Sequence, residues 1–477
     1  MDDTRELLQT HFGYHDFRFP QADIIQHVMS GRHAMVIMPT GMGKSLCYQI
    51  PALALSMTED PAPIVLVLSP LVALMQDQVD ALVKRGIDAT FINSSLDRAS
   101  RLERQEQITA GHFRILYVTP ERFRKPEFCA VINQRRVALL AIDEAHCVSQ
   151  WGHDFRPDYS RVGVIRERLG NPTTIALTAT ATARCREDIR AQLAIDETDM
   201  KLFHQGIDRP NLSLEVIHVM DDDEKWDAIV RQLNDQSLFQ NSGSAIVYFS
   251  LIQTLIRFSD RLRAAGIDHH CYHGDLRREE RRQTLRAFMN DDVDTVLATP
   301  AFGMGVDKSD IRLVMHAETP GSIESYYQEI GRAGRDGQPS RCVWLYDQAD
   351  LMTQMQFIEW ANPDASFYDR VIHELTVHPE RSAAFGIDSL RQRVQKVSPH
   401  DHRLETALAM LDRHGVIAGP TPPDCFEVVG DIPAQLRDDT ILGLKTREDQ
   451  RRLYALVELA ATQSEDMQPF LNDYFLA

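Results

Sequence analysis

Nine short apolar runs punctuate the first 350 residues of this chain, each ending in small or polar residues with a helical pattern after it. They are Ala34–Met38, Ile64–Leu68, Ile115–Val118, Val137–Ile142 and Thr174–Leu177, then Ala245–Phe249, Thr295–Ala298, Leu313–Met315 and Cys342–Tyr346. Continuous short apolar strands alternating with helices indicate parallel sheets covered on both faces. Ligands of such sheets bind beyond the carboxyl ends of the strands. The gap between the fifth and sixth runs contains Gly206-Ile207-Asp208-Arg209-Pro210-Asn211, read as a hinge between two α/β domains.

From about Phe367 the pattern changes. Residues 388–397 and 402–413 are helix-like, and a Pro-rich turn between two short strands follows. Helices followed by a hairpin predict a small winged-helix unit. Residues 446–462 and 464–475 read as a final helix pair. The expected division is 1–207, 208–352, 360–435 and 436–477, in keeping with a length of 477 residues at about 100–200 residues per domain.

The formal net charge of −18 argues against coating nucleic acid by bulk electrostatics. It leaves room for a local basic track that grips phosphate. The N-terminus has no apolar leader region and no run approaches 18 apolar residues, so neither a signal peptide nor a membrane span is expected. Seven scattered cysteines without a CxxC pair predict reduced thiols, a cytoplasmic (bacterial nucleoid) setting and no cysteine zinc site.

The segment Met38-Pro39-Thr40-Gly41-Met42-Gly43-Lys44-Ser45 lies between a strand and a helix. Gly41 and Gly43 let backbone N–H groups curl around phosphates. Lys44 would reach the β and γ phosphates of ATP, and Ser45 would hold Mg²⁺. Position 38 is Met where the full pattern has Gly. Asp143-Glu144-Ala145-His146 ends another strand. Asp143 suits Mg²⁺ coordination and Glu144 suits polarising the attacking water, because adjacent carboxylates at a strand end need a cation to offset their charge. Gln328-Glu329-Ile330-Gly331-Arg332-Ala333-Gly334-Arg335 carries two arginines at spacing three, expected on one helix face. Phosphoryl transfer needs positive charge at its transition state, and a guanidinium from another domain ties hydrolysis to closure.

These motifs, in this order, resemble the RecQ family of superfamily 2 DNA helicases from Phe12 to about Met352. The resemblance implies two tandem RecA-like domains, and the helix–hairpin pattern adds a helical, winged-helix-like region after them. Phe12–Arg18 with Gln21 resembles the adenine-reading segment, with Phe19-Pro20 where the family has Pro-Gly. It implies that Arg18 and Gln21 contact the base, and it adds His146 and Gln328 to the hydrolytic set. Ser69-Pro70-Leu71, Gln76-Asp77-Gln78 and Thr119–Arg122 resemble strand-contacting motifs. Leu177-Thr178-Ala179-Thr180 resembles the motif that links hydrolysis to DNA contact.

Ser149–Tyr159 resembles the family's aromatic-rich loop. There Trp151 and Phe155 would stack on bases at about 1–3 kcal/mol each, while His153 and Arg156 would report strand occupancy. Ala298–Lys308 resembles a further strand-contact motif, with Thr299 against DNA and Asp307 near the nucleotide. Arg277–Arg282 reads first as a solvated helix face.

RecQ proteins usually follow the motor with a four-cysteine zinc module and a winged helix. Here acidic residues near Glu465 stand where the first cysteine is expected, and the helix–hairpin unit comes before that segment. Zinc binding is therefore not expected. Arg391, Arg393, Lys396 and Arg403 are candidates for gripping duplex DNA, set against a capping or docking role. The expected function is an ATP- and Mg²⁺-dependent 3′–5′ DNA helicase, acting as a monomer on single strands and single/double-strand junctions in recombination and repair. The competing readings are an RNA helicase of the same superfamily and a DNA-stimulated translocase or remodeller without robust unwinding.

Overall fold

The computed structural model describes residues 2–55, 62–70, 72–149, 151, 157–204, 206–235, 237, 243–303, 306–395, 401–418 and 427–476. The chain forms two compact units. One comprises 1–38, 43–205 and 357–448, and the other 39–42, 206–356 and 449–477.

The first unit holds a seven-stranded parallel sheet of β1 (His33–Ile37), β2 (Ile64–Leu68), β3 (Ala89–Ile92), β4 (Ile115–Val118), β5 (Val137–Ile142), β6 (Thr173–Thr178) and β7 (Met200–His204). Their order is β3-β4-β2-β5-β6-β1-β7. The central strands are buried along their length because helices cover both faces, and Leu66, Leu140 and Ile142 share one apolar core with Phe128 and Ile189.

The second unit repeats the design. β8 (Leu212–His218), β9 (Ser244–Tyr248), β10 (His270–Tyr272), β11 (Thr295–Ala298), β12 (Ile311–His316) and β13 (Ser340–Tyr346) lie in the order β10-β11-β9-β12-β13-β8, all parallel. Val247, Leu297, Leu313 and Val343 anchor its core.

All nine apolar runs are strands. The four strands that no run marked are β3, β7, β8 and β10, and these are the four sheet edges. An edge strand needs only one paired side and tolerates polar residues, so β7 (MKLFH) and β8 (LSLEVIH) lack a continuous apolar signature.

Residues 357–448 form an accessory region within the first unit. Helices Ala365–Val377 and Arg403–Arg413 pack with the end of Pro379–Val394 and a two-residue antiparallel ladder, β14 (Ile417–Ala418) with β15 (Glu427–Val428). Phe367, Val371, Leu404, Leu411 and Ile417 form its own core. The Pro-rich turn of that hairpin and Lys396 lie outside the described residues. The last two helices run Asp439–Ala460 and Met467–Leu476. Phe367 is fully buried, so Phe367→Ala is expected to cost about 3–5 kcal/mol. Chemical denaturation checks this, and a loss below about 1 kcal/mol would contradict the packing described.

Candidate nucleotide and strand-contact site

β1 runs into the Gly-rich loop, and the Met38 N–H donates to the Thr178 carbonyl at 3.2 Å, tying the loop's root to β6. The helix Leu46–Leu55 begins directly after Lys44 and Ser45, so the positive end of its dipole lies at the loop and suits an anion. Lys44 Nζ donates to the Met38 carbonyl at 2.9 Å. Thr40, Met42 and Ser45 are half-buried in the same loop. Gly41 and Gly43 both have positive φ, 84° and 76°. At Gly43 a Cβ would also lie 2.6 Å from Gln21 Nε2, so only glycine permits this approach.

Gln21 is buried and uses both ends of its amide. Its Oε1 accepts from the Arg18 N–H at 2.9 Å, and its Nε2 donates to the Gly43 carbonyl at 3.0 Å. The residue expected at the adenine edge therefore also ties the entry segment to the phosphate loop. Arg18, Tyr14 and Phe19 beside it are exposed.

At the end of β5, the Asp143 N–H donates to the Leu68 carbonyl at 2.8 Å. Desolvation, and then the charge of Glu144, push the Asp143 carboxyl well above the usual carboxylate range, against the opposing pull of Lys44. Glu144 sits at φ 49°, a left-handed conformation rare for a residue with a side chain. Its Oε2 lies 3.3 Å from His146 Nδ1. His146 is buried, and Nδ1 is 3.0 Å from Thr178 Oγ1. The Thr178 hydroxyl in turn bonds the Thr180 carbonyl at 3.0 Å. Close contacts thus link Glu144, His146, Thr178 and Thr180.

Among the described residues, no three His, Cys, Asp or Glu side chains converge as a self-sufficient metal site. Ser45 and Asp143 fit Mg²⁺ in the way that ion is usually held, by one or two protein oxygens plus substrate phosphates and water. A desolvated carboxylate with a raised proton affinity is the donor such an ion would relieve.

In the second unit the arginine pair departs from the expectation of one helix face. The helix Ile323–Ile330, capped by Ser322, ends before both arginines. Gly331 closes it, and Gly334 turns the chain at φ 55°, where a Cβ would lie 2.4 Å from Asn211 Nδ2. Arg332 and Arg335 leave this turn and reach the same loop. Arg332 donates to the Gly303 carbonyl and Arg335 pairs with Asp307. Burial pulls the Arg335 guanidinium below its ordinary proton affinity, with Asp307 working the other way. Gln328 is half-buried on the helix before the turn.

Sequence reasoning missed what holds that turn. Arg209 donates to the carbonyls of Ala333 (2.7 Å), Gly334 (3.0 Å) and Gly331 (3.3 Å). Asn211 Nδ2 donates to Gly334 (2.9 Å) and Gln338 (3.0 Å). The segment read as a hinge is also the scaffold of the arginine turn. The only signal was the Arg-Pro-Asn triplet just ahead of β8, and its partners are more than 100 residues away.

The strand-contact candidates are spread out. Gln76 is exposed on the helix Val72–Lys84 and bonds Asp80 at 2.7 Å. Thr299 is buried after β11, its N–H donating to the Tyr272 carbonyl at 3.0 Å. Trp151 is half-buried, with the Arg184 guanidinium 3.5 Å from its ring centroid. His153, Phe155 and Arg156 lie outside the described residues. Lys308 is buried between Asp291 and Asp310: burial alone would lower its proton affinity, and the two carboxylates raise it. The Arg277–Arg282 stretch is largely exposed on its helix and paired locally with Glu279 and Glu280.

Residues 18–189 match the DEAD/DEAH box helicase family, and residues 224–337 match the helicase conserved C-terminal domain. The chain is 42% identical over 357 residues to the ATP-dependent DNA helicase RecQ of Bacillus subtilis (strain 168), covering 74% of this chain and 58% of that one. It is 37% identical over 383 residues to the probable ATP-dependent DNA helicase RecS of the same organism, covering 80% and 74%. In fold it is similar to S. cerevisiae Dbp5 bound to RNA and ADP BeF3 (TM-score 0.60, 14% identity, 86% and 98% covered). It is likewise similar to the helicase MrfA bound to DNA (TM-score 0.59, 18% identity, 91% and 63% covered).

Two parallel-sheet units with these motifs define a RecA-like helicase of the DEAD/DEAH class. Within that class the chain belongs to the RecQ family. It spans 58% and 52% of the length of the RecQ proteins of Bacillus subtilis (strain 168) and Pasteurella multocida (strain Pm70).

Two outcomes are expected. Asp143→Asn removes a carboxylate whose folded-state pKa lies above its unfolded one. The penalty of the native carboxylate is absent below the unfolded value, grows between the two values and is complete above the folded one. The substitution should therefore raise the nucleotide-free melting temperature by about 2–4 °C at pH 8 and by less at pH 5, while hydrolysis is lost. Melting curves at both pH values check it. Arg209→Ala should lower the maximal rate of ATP hydrolysis by about tenfold or more with nucleotide affinity largely kept. Steady-state kinetics beside equilibrium nucleotide binding check that split.

Proposed function

We propose that this chain is an ATP-dependent DNA helicase of the RecQ type, which translocates 3′ to 5′ on one strand and separates the duplex ahead, in recombination and repair. Family membership supports the reading, and one observation carries it. The hydrogen bond from His146 to Thr178 joins the hydrolytic strand end to the motif associated with DNA contact. A change at either end is felt at the other through two buried side chains.

Lys44 and the loop N–H groups bind the β and γ phosphates, with Arg18 and Gln21 at the base. Ser45 and Asp143 would hold Mg²⁺, which when bound neutralises phosphate charge. Glu144 orients the attacking water, with His146 beside it. Gln328, Arg332 and Arg335 supply the second domain's share, the arginines offsetting charge that develops on the transferred phosphoryl group. Asp307 stays with this set as the acid that orients Arg335. Gln76, Trp151, His153, Phe155, Arg156 and Thr299 form the strand track. We retain 1–207, 208–352, 360–435 and 436–477 as the domain division, and we place the protein in the cytoplasm as a monomer. No helix among the described residues is long and apolar enough to cross a membrane.

One observation favours a second reading, a DNA-stimulated translocase without robust unwinding. Three of the four arginines and lysines proposed to grip duplex DNA are committed to acids: Arg391 to Asp388 and Glu405, Arg393 to Glu374, and Arg403 to Asp401. Lys396, the fourth, lies outside the described residues.

The test is ATP hydrolysis with and without single-stranded DNA, for wild type and Lys44→Ala. Stimulation by the strand in wild type, and at least a hundredfold or so lower turnover in Lys44→Ala with strand binding retained, are expected. Wild-type turnover in the mutant would overturn the assignment.

A further inference from the structure

The accessory region makes its most specific contacts around the aromatic-rich segment. On the N-terminal flank, the Ser149 hydroxyl donates to Asp188 Oδ2 at 2.7 Å and accepts from the Trp151 N–H at 3.0 Å. The Arg184 guanidinium lies over the Trp151 ring at 3.5 Å, and its Nη1 is 2.9 Å from Glu448 Oε2. Trp151 also lines a cavity of about 230 Å³ whose other walls belong to the accessory region, Tyr368, Met410, Arg413, Leu436 and Ile441 among them.

The C-terminal flank is anchored to the same region. Arg124, only 13% exposed, donates to Asp158 Oδ1 at 2.5 Å and to Asp412 Oδ2 at 2.8 Å. Arg161 Nη1 is 3.7 Å from the same Asp412 oxygen. Asp412 sits on the helix Arg403–Arg413 and Glu448 on the helix Asp439–Ala460. Both ends of one short segment are therefore pinned, across more than 250 residues of sequence, to a single region.

We propose that residues 357–448 serve to restrain the aromatic segment, with Glu448, Arg184 and Asp412 as positioning residues that hold Trp151 back from the DNA strand. This rests on the helicase reading above. A ring face covered by a guanidinium at van der Waals distance is closed to a base, so a strand that stacks on Trp151 must first displace Arg184. Glu448 sets how firmly Arg184 stays, and the Arg124–Asp412 pair, being desolvated, fixes the far end of the segment more strongly than an exposed pair would. The accessory region thereby sets the amount of strand needed to switch on hydrolysis. Its acids do this work, which accounts for the region presenting Asp412 and Glu448 to the motor while Arg391, Arg393 and Arg403 pair with acids of its own.

The test uses the full chain and the variants Glu448→Gln, Asp412→Asn and Arg184→Lys. The lysine keeps a cation for Glu448 but loses the flat face that covers the indole. Oligothymidine is titrated against ATP hydrolysis, and acrylamide quenching of Trp151 is taken as the difference from a Trp151→Phe background, since the chain has four tryptophans. Glu448→Gln, Arg184→Lys and the Glu448→Gln/Asp412→Asn pair should each lower the half-stimulating oligothymidine concentration, by about three- to tenfold. The maximal rate should stay near wild type, and Trp151 should become more quenchable. Unchanged quenching, or a half-stimulating concentration that is unchanged or raised, would overturn the restraint. So would a fall in maximal rate with no shift in that concentration, the mark of a merely structural brace. Thermal melting confirms that each variant is folded, and Arg184→Lys, an exposed substitution, carries the test if an acid variant is not. If wild-type hydrolysis ignores DNA altogether, the helicase reading fails, and the quenching comparison alone then decides the restraint.

Discussion

Crowding a carboxylate at the end of a parallel strand is expensive, and the architecture of this chain turns on that expense. Asp143 is forced toward its protonated form by desolvation and by Glu144 beside it. The opposing charge comes from Lys44, at the end of a loop that only glycines can trace. β1, β5 and β6 are neighbours in the sheet, which brings the loop, the carboxylate pair and Thr178 to one edge. A carboxylate so placed is one that a bound cation would relieve.

The second unit solves a related problem by different means. Two guanidiniums must be aimed without a helix to carry them, because the helix Ile323–Ile330 closes at Gly331, before both. Arg209 and Asn211 hold the turn through its carbonyls, and Arg332 and Arg335 are then directed by Gly303 and Asp307. Charge is thus presented on a backbone loop braced from the segment that enters the unit. A change in the entering segment would be passed to the arginines by four hydrogen-bonded carbonyls rather than by packing alone.

Much of this was legible in the sequence, and the failures have physical causes. Buried central strands announce themselves because both faces are apolar, whereas β7 and β8 alternate or mix polarity as sheet edges and gave no such signal. The loop Met38–Ser45 and the pair Asp143-Glu144 were readable because their chemistry is local. The placement of Arg332 and Arg335 on one helix face failed because spacing was weighed above the intervening glycine. Arg209 and Asn211 were invisible because their partners are distant in sequence. The sequence marks Trp151 as a stacking candidate but not the cation from the helix Ala183–Leu193 that lies over its ring. Arg391, Arg393 and Arg403 are candidates for a DNA grip or for a capping role, and charge counted along the chain does not reveal which acids fold against them.

The proposed strand separation, driven from a 3′ tail by nucleotide hydrolysis, is best tested by displacement of a labelled strand from duplexes with a 3′ tail, a 5′ tail or no tail, with ATP turnover followed in the same reaction. Displacement is expected from the 3′-tailed duplex only, dependent on ATP and Mg²⁺. Strand-stimulated turnover with no displacement from any of the three would contradict it and leave a translocase.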